Sequence, residues 1–286
     1  MTDQASAGPT LDPEPLSPYA CSSLPDGHAR CAVCRRLRPA PDARLRARLL
    51  RAIVRRTRSV VLSRWLKERD RDARGRVVEK RQRLVRDTSY GSLPVAGFVA
   101  RTVRYLRQQR TLADVRHVCA ALDLATAGTR PLLIRRILRH VLEAERWLPS
   151  LALVSSCSVR ALASAYPVFA QRSEAAYRAD FEQEASEVWP ARVYRQYPIG
   201  RGIALRIDFH IGTPGGDGIG VEFKTPRSGA EIQRAKGQLD QYRAAYPAGR
   251  LILVVVESGL VSEASLSLFE REVAARGIHV VRRRPV

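Results

Sequence analysis

The sequence is short of acidic residues. Its 28 Asp and Glu residues stand against 49 Lys and Arg residues, almost all of them Arg, which gives a formal net charge of +21. Such an excess favours a polyanionic partner, because basic side chains that neutralise phosphates release counterions. A GC-rich genome would also favour Arg over Lys, but it would not explain the deficit of acids.

The sequence also lacks a long apolar run. No stretch approaches the roughly 20 apolar residues of a membrane-spanning helix, and the run Leu251–Val256 has only the length of a strand. The first ten residues show no basic segment followed by an apolar one, so no secretion signal is predicted. We therefore expect a cytoplasmic protein without a membrane partner, and its 45% hydrophobic content is sufficient for a sizeable core.

A disulfide framework is not expected. The five cysteines are Cys21, Cys31, Cys34, Cys119 and Cys157, and an odd count without a secretion signal argues against disulfides. Residues 1–40 are rich in Pro, Ser and Ala, which is typical of a disordered tail. Within it Cys31 and Cys34 have the spacing of a zinc knuckle, and Cys21 and His28 would complete four Zn²⁺ ligands. The alternative is a set of free thiols, since the ligand spacing is irregular.

Residues 41–109 are predicted to form a basic helical region. Apolar residues recur at helical spacing from Asp42 to Asp87, Gly75 is expected to break the run, and a further helix is predicted after Pro94. The other helix faces carry Arg44, Arg48, Arg51, Arg55, Arg56 and Arg58. These arginines form either a phosphate-contacting surface or the solvated face of a helical domain. The two interpretations are compatible, because a solvated arginine face attracts polyanions.

Residues 110–143 have the pattern of a helix, a short extended link and a second helix. The two apolar stripes consist of Leu112, Val115, Cys119 and Leu122, and of Leu133, Ile134, Ile137 and Leu138. Thr111 is a suitable N-cap for the first helix, and Gly128 lies in the link. Pro131 suits the first turn of the second helix.

This segment resembles the SAP domain, a small helix-extended-helix module that binds DNA. It departs from that family where Asp123, Ala127 and Arg130 replace the usual Gly, Ser and Lys. The resemblance implies duplex DNA contact through the second helix and the loop before it. The charge for this contact would come from Arg130, Arg135, Arg136 and Arg139. The alternative is an ordinary helical hairpin.

After a connecting helix and loop over 144–171, the pattern changes to that of a mixed α/β fold. The predicted elements are a helix over 172–189, strands over 192–198, 203–211 and 219–224, a helix over 229–245, a strand over 251–256, a helix over 262–275 and a strand over 278–282. This order, αβββαβ with an αβ extension, indicates an α/β sheet protein with an all-α basic N-terminal region.

Strand alternation predicts where the side chains of the middle strands point. Asp208 points away from the apolar face of Ile207 and Phe209, and Glu222 and Lys224 share the non-core face of the next strand. A Gly-rich link between the strands suits a hairpin, which would bring the three polar residues together. Two carboxylates can hold Mg²⁺ or Mn²⁺, and such an ion polarises a phosphate and lowers the pKa of a bound water. The lysine can orient that water and offset charge on the phosphorane.

These residues resemble the motif of the PD-(D/E)xK nucleases, which have a restriction-endonuclease-like core. Ile207-Asp208 stands where the family often has Pro-Asp, and Glu222-Phe-Lys224 matches E-x-K. The resemblance covers roughly residues 172–282. It implies that Asp208 and Glu222 are the metal ligands and that Lys224 assists the attacking water.

Two further parts of the family pattern are present. Gln238 and Tyr242 form the Q-x3-Y pattern of the RecB-type subgroup, with Arg234 one turn earlier on the same helix face. In that subgroup this face points at the active site and contacts nucleic acid. The family also takes an acid from its first helix, for which Glu182 fits the usual apolar-Glu pattern and Glu184 is the alternative.

The resemblances together imply a metal-dependent DNA nuclease, in genome defence or repair, acting on double-stranded DNA. Two alternatives stay open: a non-catalytic DNA-binding protein whose nuclease-like fold is a relic, and an RNA-cleaving nuclease of the same fold. The sequence shows neither a Ser/His/Asp set nor an HExxH motif. His210, on the face of Asp208, would touch the site or DNA, or be a partly exposed strand histidine.

Overall fold

The computed structural model describes residues 41–168, 173–200, 205–215, 217–247 and 249–285. The predicted tail 1–40, with its zinc-ligand candidates Cys21, His28, Cys31 and Cys34, lies outside the described residues. Among the residues that are described, no helix has the length and apolar character needed to cross a membrane.

The N-terminal half is helical, as its periodicity predicts. Its helices are α1 (Ala43–Arg56), α2 (Ser59–Lys67), α3 (Val77–Arg86), α4 (Val95–Arg107), α5 (Leu112–Ala121), α6 (Arg130–Ala144), α7 (Trp147–Ser150) and α8 (Ser156–Ala165). The Asp42 carboxylate begins α1 by accepting the backbone N–H of Leu45. Gly75, at φ = 94°, lies between α2 and α3, where the run was expected to break.

The predicted helix-link-helix segment is present as α5 and α6. The Thr111 hydroxyl caps α5 by accepting the backbone N–H of Asp114, and the Asp114 carboxylate accepts the backbone N–H of Thr111 in return. Pro131 lies in the first turn of α6. Asp123, which stands where the SAP domain has Gly, adopts φ = 60°, a left-handed conformation that Asp tolerates better than most residues.

The C-terminal part is a five-stranded mixed sheet. Its elements are α9 (Glu174–Val188), β1 (Val193–Pro198), β2 (Arg206–Gly212), β3 (Gly218–Lys224), α10 (Gly229–Tyr242), β4 (Leu251–Val256), α11 (Glu263–Ala274) and β5 (His279–Arg283). The strands lie in the order β1-β2-β3-β4-β5; β1 to β3 pair antiparallel and β3 to β5 pair parallel. The predicted α/β class is confirmed, and these elements follow the predicted order.

Helices cover both faces of this sheet. Phe209, Phe223 and alternate residues of the other strands pack against α8 and α9 in an apolar cluster that continues to α1. α10 and α11 pack on the opposite face in a second cluster. Because the first cluster joins the N-terminal helices to the sheet, the predicted regions 41–109 and 110–143 share its core. Ile207 breaks the predicted alternation, since it belongs to the second cluster and Phe209 to the first.

The segment 144–171 is more than the connection that the sequence suggested. α8 packs against β4 and β5, and its residues from Ser156 to Val159 are buried. Its small side chains let the helix approach the sheet closely. Cys157 is therefore a buried core thiol.

Candidate functional site

Asp208 and Glu222 lie where the β2–β3 ladder opens. The last paired residues are Phe209 and Val221. Beyond them the backbone N–H of Asp208 donates to Glu222 Oε2 (3.2 Å), and the backbone N–H of Phe223 donates to Asp208 Oδ2 (2.9 Å). Both acids are buried, with exposed fractions of 4% for Asp208 and 2% for Glu222. The backbone thus fixes the position of both carboxylates.

Each acid also has a cationic neighbour. Lys224 Nζ lies 2.6 Å from Glu222 Oε1, so the structure brings the three predicted residues together. Asp208 Oδ1 accepts hydrogen bonds from Arg178 Nη1 (2.5 Å) and from Gln196 Nε2 (3.0 Å). Arg178 belongs to α9 and Gln196 to β1, and sequence reasoning identified neither. The unusual backbone of Gln196, at φ = 47°, is the local feature that marks this position in β1.

The proximity of the two buried acids changes the ionisation of Glu222. Burial, together with the negative charge of Asp208, raises the pKa of Glu222 to about 7, although Lys224 acts in the opposite direction. A carboxyl group perturbed by burial and a specific charged neighbour is a mark of functional sites, and also occurs in structural ion-pair networks.

The acid pair fits a hard divalent cation. Among the described residues no group of three or more His, Cys, Asp or Glu side chains could hold a metal ion. Mg²⁺ does not require such a group, because it takes one or two carboxylates and keeps several waters. A bound cation would relieve the repulsion that raises the pKa of Glu222. Asp208 and Glu222 are therefore the residues that would hold it.

The predicted Q-x3-Y face of α10 reaches this group. The Tyr242 hydroxyl donates to the backbone carbonyl of Arg206 at 2.7 Å. Burial, and then the nearby Glu222 carboxylate, raises the pKa of Tyr242, so this hydroxyl keeps its proton. Near it, Gln238 and Lys224 both line a surface cleft. Tyr242 itself is fully buried and is not part of the cleft lining.

This cleft has a volume of about 430 Å³. It is lined by Glu174, Lys224, Thr225, Pro226, Arg227, Glu231, Arg234, Ala235 and Gln238. The exposed guanidinium groups of Arg227 and Arg234 have no ion pair within the described chain. The Thr225 hydroxyl is buried and has no hydrogen-bond partner among the described residues. Unpaired cations and an unsatisfied hydroxyl suit an anionic ligand such as a phosphate.

The acid that α9 brings to the cleft is Glu174, and not the predicted Glu182. Glu174 Oε2 accepts the backbone N–H of Thr225 at 2.7 Å. Glu182 lies two turns further along the helix, about 12 Å by the helical rise, and its carboxylate faces Arg195 of β1 at 3.5 Å. Glu184, the alternative, faces α6.

His210 has a structural role in the sheet. It is buried and stacks on Tyr197, with ring centroids 4.4 Å apart. Its Nδ1 lies 2.8 Å from the Tyr246 hydroxyl, and its Nε2 lies 3.0 Å from the Thr213 carbonyl oxygen. Burial lowers the pKa of His210. The partly exposed histidine of the sequence interpretation is thus a buried residue with both nitrogens engaged.

The α6 arginines that were expected to contact DNA are engaged within the protein. Their partners are the carbonyls of Arg107 and Gln109 for Arg130, Asp180 for Arg135, the carbonyls of Ala125 and Ala127 for Arg136, and Glu184 and Glu187 for Arg139. Two of them connect α6 to α9. Acids of α9 compensate the charge of Arg135 and Arg139, and backbone carbonyls satisfy donors of Arg130 and Arg136, so all four arginines have partners without a nucleic acid.

Exposed cations lie instead on α1 and the turn after it. We call Arg44, Arg51, Arg55, Arg56 and Arg58 the α1 arginine surface; all five are exposed, and none has an ion pair in the part of the chain that the structure describes. α1 itself contains no acid. Arg44, Arg51 and Arg55 follow helical spacing on one face, over about 16 Å.

The site thus combines a buried acid pair, a lysine and a cleft with unpaired cations. Asp208, Glu222, Lys224, Arg234 and Gln238 were predicted from the sequence; Glu174, Arg178, Gln196, Thr225 and Arg227 were not. No protein-family model, curated protein sequence or solved structure matches the chain, so the interpretation of the site depends on its own geometry.

Proposed function

We propose that the chain is a metal-dependent nuclease that hydrolyses phosphodiester bonds in DNA. The observation that carries the proposal is the buried Asp208–Glu222 pair, which backbone hydrogen bonds hold in place beside Lys224. The αβββαβ order of elements and the resemblance to PD-(D/E)xK nucleases, with their restriction-endonuclease-like core, support it.

Asp208 and Glu222 are the residues that would hold Mg²⁺ or Mn²⁺. When bound, the cation supplies Lewis-acid stabilisation of the phosphate and lowers the pKa of a water. Because the backbone holds the two carboxylates in place, they are already positioned side by side to bind it. Glu174, at the edge of the cleft, holds the backbone just after Lys224 and so fixes the position of that lysine.

Hydrolysis joins a water oxygen to phosphorus while the bond from phosphorus to the leaving sugar oxygen breaks and that oxygen takes up a proton. The Lys224 ammonium group, beside Glu222, orients the water and offsets the negative charge that develops. Gln238 presents hydrogen-bond donors to the substrate from the cleft. The buried Tyr242 keeps its proton, donates it to the Arg206 carbonyl and so holds the start of β2 in place. Arg227 and Arg234 hold neighbouring phosphates at the cleft.

The α1 arginine surface supports a nucleic-acid substrate. Exposed arginines without internal partners bind phosphates with release of counterions, in contrast to the paired arginines of α6. The preference for duplex DNA comes from the SAP resemblance of α5 and α6. Single-stranded DNA and RNA are therefore included as substrates in the test.

The test is a cleavage assay with plasmid DNA, single-stranded DNA and RNA. We expect cleavage with Mg²⁺ or Mn²⁺, none with EDTA, and at least about a hundredfold loss in Asp208→Asn and Glu222→Gln. Asp217→Asn, which removes an exposed acid of the β2–β3 turn, is the matched control and should cleave normally. Unchanged cleavage by both site variants would contradict the proposal. Preferential cleavage of RNA would mean that RNA, and not DNA, is the substrate.

One observation favours the alternative of a non-catalytic DNA-binding protein. Both Asp208 and Glu222 already have a cationic partner, Arg178 and Lys224 respectively, so part of their charge is compensated without a metal. Such a protein would bind duplex DNA with equal affinity in EDTA and in Mn²⁺, and would cut no phosphodiester bond in either.

A further inference from the structure

Arg178 lies directly against the candidate metal site. Its Nη1 is 2.5 Å from Asp208 Oδ1, and the Asp208 side chain is 5% exposed. A buried carboxylate without a compensating charge is costly. In the metal-free protein Arg178 therefore supplies positive charge to the same oxygen atoms that would bind a cation.

The contact with Asp208 leaves the hydrogen-bond donors of Arg178 incompletely satisfied. The Arg178 Nε–H is buried and has no hydrogen-bond partner among the described residues, although a guanidinium group has five N–H donors to satisfy. The side chain is 26% exposed, so one side of it is open to solvent. An incompletely bonded group with an open side can move when a stronger cation takes its place.

The position of Arg178 on α9 determines where it would move. Glu174 lies one turn earlier on the same helix face and lines the cleft. A guanidinium group that leaves Asp208 therefore comes to lie beside the cleft, near Lys224. Its planar fork matches the oxygen atoms of a phosphate, which it can bind through two hydrogen bonds.

We infer that Arg178 is a displaceable counter-ion: it neutralises Asp208 until a divalent cation binds, and then it positions the phosphate of the substrate. This inference rests on the proposed nuclease function. It makes Arg178 a competitor of the metal and, at the same time, a requirement for efficient cleavage. A purely structural arginine would have neither property.

The test compares Mn²⁺ binding and DNA cleavage in the full-length protein. By isothermal titration calorimetry, Arg178→Met should bind Mn²⁺ at least about tenfold more tightly than the wild type, the size expected when a hydrogen bond to a charged group no longer competes. At saturating Mn²⁺, the same variant should cleave DNA at least about tenfold more slowly. Arg206→Met is the matched control, because it removes an exposed arginine two residues from Asp208 that does not contact its carboxylate. It should change Mn²⁺ affinity by less than about twofold.

Arg178→Lys keeps a positive charge and serves if the methionine variant does not fold. It should retain metal affinity close to that of the wild type and still lose cleavage, because an ammonium group lacks the planar fork. If Arg178→Met binds Mn²⁺ no more tightly than Arg206→Met, the inference is wrong although the nuclease proposal stands. If neither the wild type nor any variant binds Mn²⁺, the proposed function itself fails.

Discussion

The Asp208 and Glu222 carboxylates each accept a backbone N–H from the opposite strand: Phe223 donates to Asp208 at 2.9 Å, and Asp208 donates to Glu222 at 3.2 Å. In a closed antiparallel ladder such N–H groups donate to backbone carbonyls. The acids therefore replace ladder bonds at the point where β2 and β3 separate. Their side chains are part of the fold as well as of the site, so substitutions here should keep the shape of the side chain.

In the metal-free protein, Glu222→Gln should gain stability relative to the wild type as the pH rises towards neutrality. Burial and the charge of Asp208 raise the pKa of Glu222 from 4.5 to about 7, so the folded protein holds this proton at a pH where the unfolded chain has lost it. The contribution of Glu222 to stability is therefore greatest below about pH 4.5, falls as the pH rises, and is constant above about pH 7. The difference amounts to about 3 kcal/mol, since one pKa unit corresponds to about 1.4 kcal/mol.

Urea unfolding of both proteins in EDTA from pH 4.5 to 8 measures this effect. The free energy of unfolding of the glutamine variant minus that of the wild type should increase with pH and level off near neutrality. A difference that stays constant over this range would mean that folding does not change the pKa of Glu222.

Glu174→Ala should impair cleavage more than Glu182→Ala. The Glu174 carboxylate holds the backbone of Thr225 at 2.7 Å, directly after Lys224, and lines the cleft. Glu182 instead faces Arg195 of the edge strand β1 at 3.5 Å. We expect at least about a tenfold loss of kcat for Glu174→Ala, which removes the acceptor of the Thr225 N–H, and less than about twofold for Glu182→Ala. The reverse order would restore the prediction made from the sequence.

The placement of Glu222, Lys224 and Gln238 could be predicted from the sequence because it depends on local periodicity. The spacing of Glu222 and Lys224 places them on one side of a strand whatever the rest of the chain does. Gln238 and Tyr242 share a helix face for the same kind of reason. The predicted alternation of side-chain direction fails next to Asp208. Ile207 packs on the opposite side of the sheet from Phe209, at the point where the β2–β3 ladder ends.

The acid from α9 could not be predicted because its choice depends on tertiary packing. Phe181 packs against Phe209 and Phe223 of the sheet, with ring centroids 5.4 Å and 5.3 Å away. This contact sets the rotation and the axial position of α9, and it brings Glu174 rather than Glu182 to the cleft. The periodicity of the helix alone does not show which of its acids reaches the cleft.

Arg135→Met should destabilise the fold. Arg135 pairs with Asp180 of α9, and the two side chains are 16% and 8% exposed. Removing one partner of a pair with so little exposure takes a close positive charge away from the buried Asp180 carboxylate, which costs about 3 kcal/mol. Urea unfolding should show this loss, whereas Arg116→Met, at an exposed position of α5, should change the free energy of unfolding by less than about 0.5 kcal/mol. An Arg135 variant as stable as the wild type would leave this arginine available for DNA.

The double variant Arg51→Gln/Arg55→Gln should weaken the salt dependence of DNA binding. Each phosphate contact that is lost lowers the slope of log K against log salt by about 0.9, so two arginines account for about 2. Fluorescence anisotropy with a short DNA duplex in EDTA measures this slope without cleavage. Arg192→Gln/Arg271→Gln is the matched control, because it removes two exposed arginines from the sheet domain, neither with an ion pair within the described chain. An equal decrease in both variants would mean that the net charge of +21, and not the α1 arginine surface, determines binding.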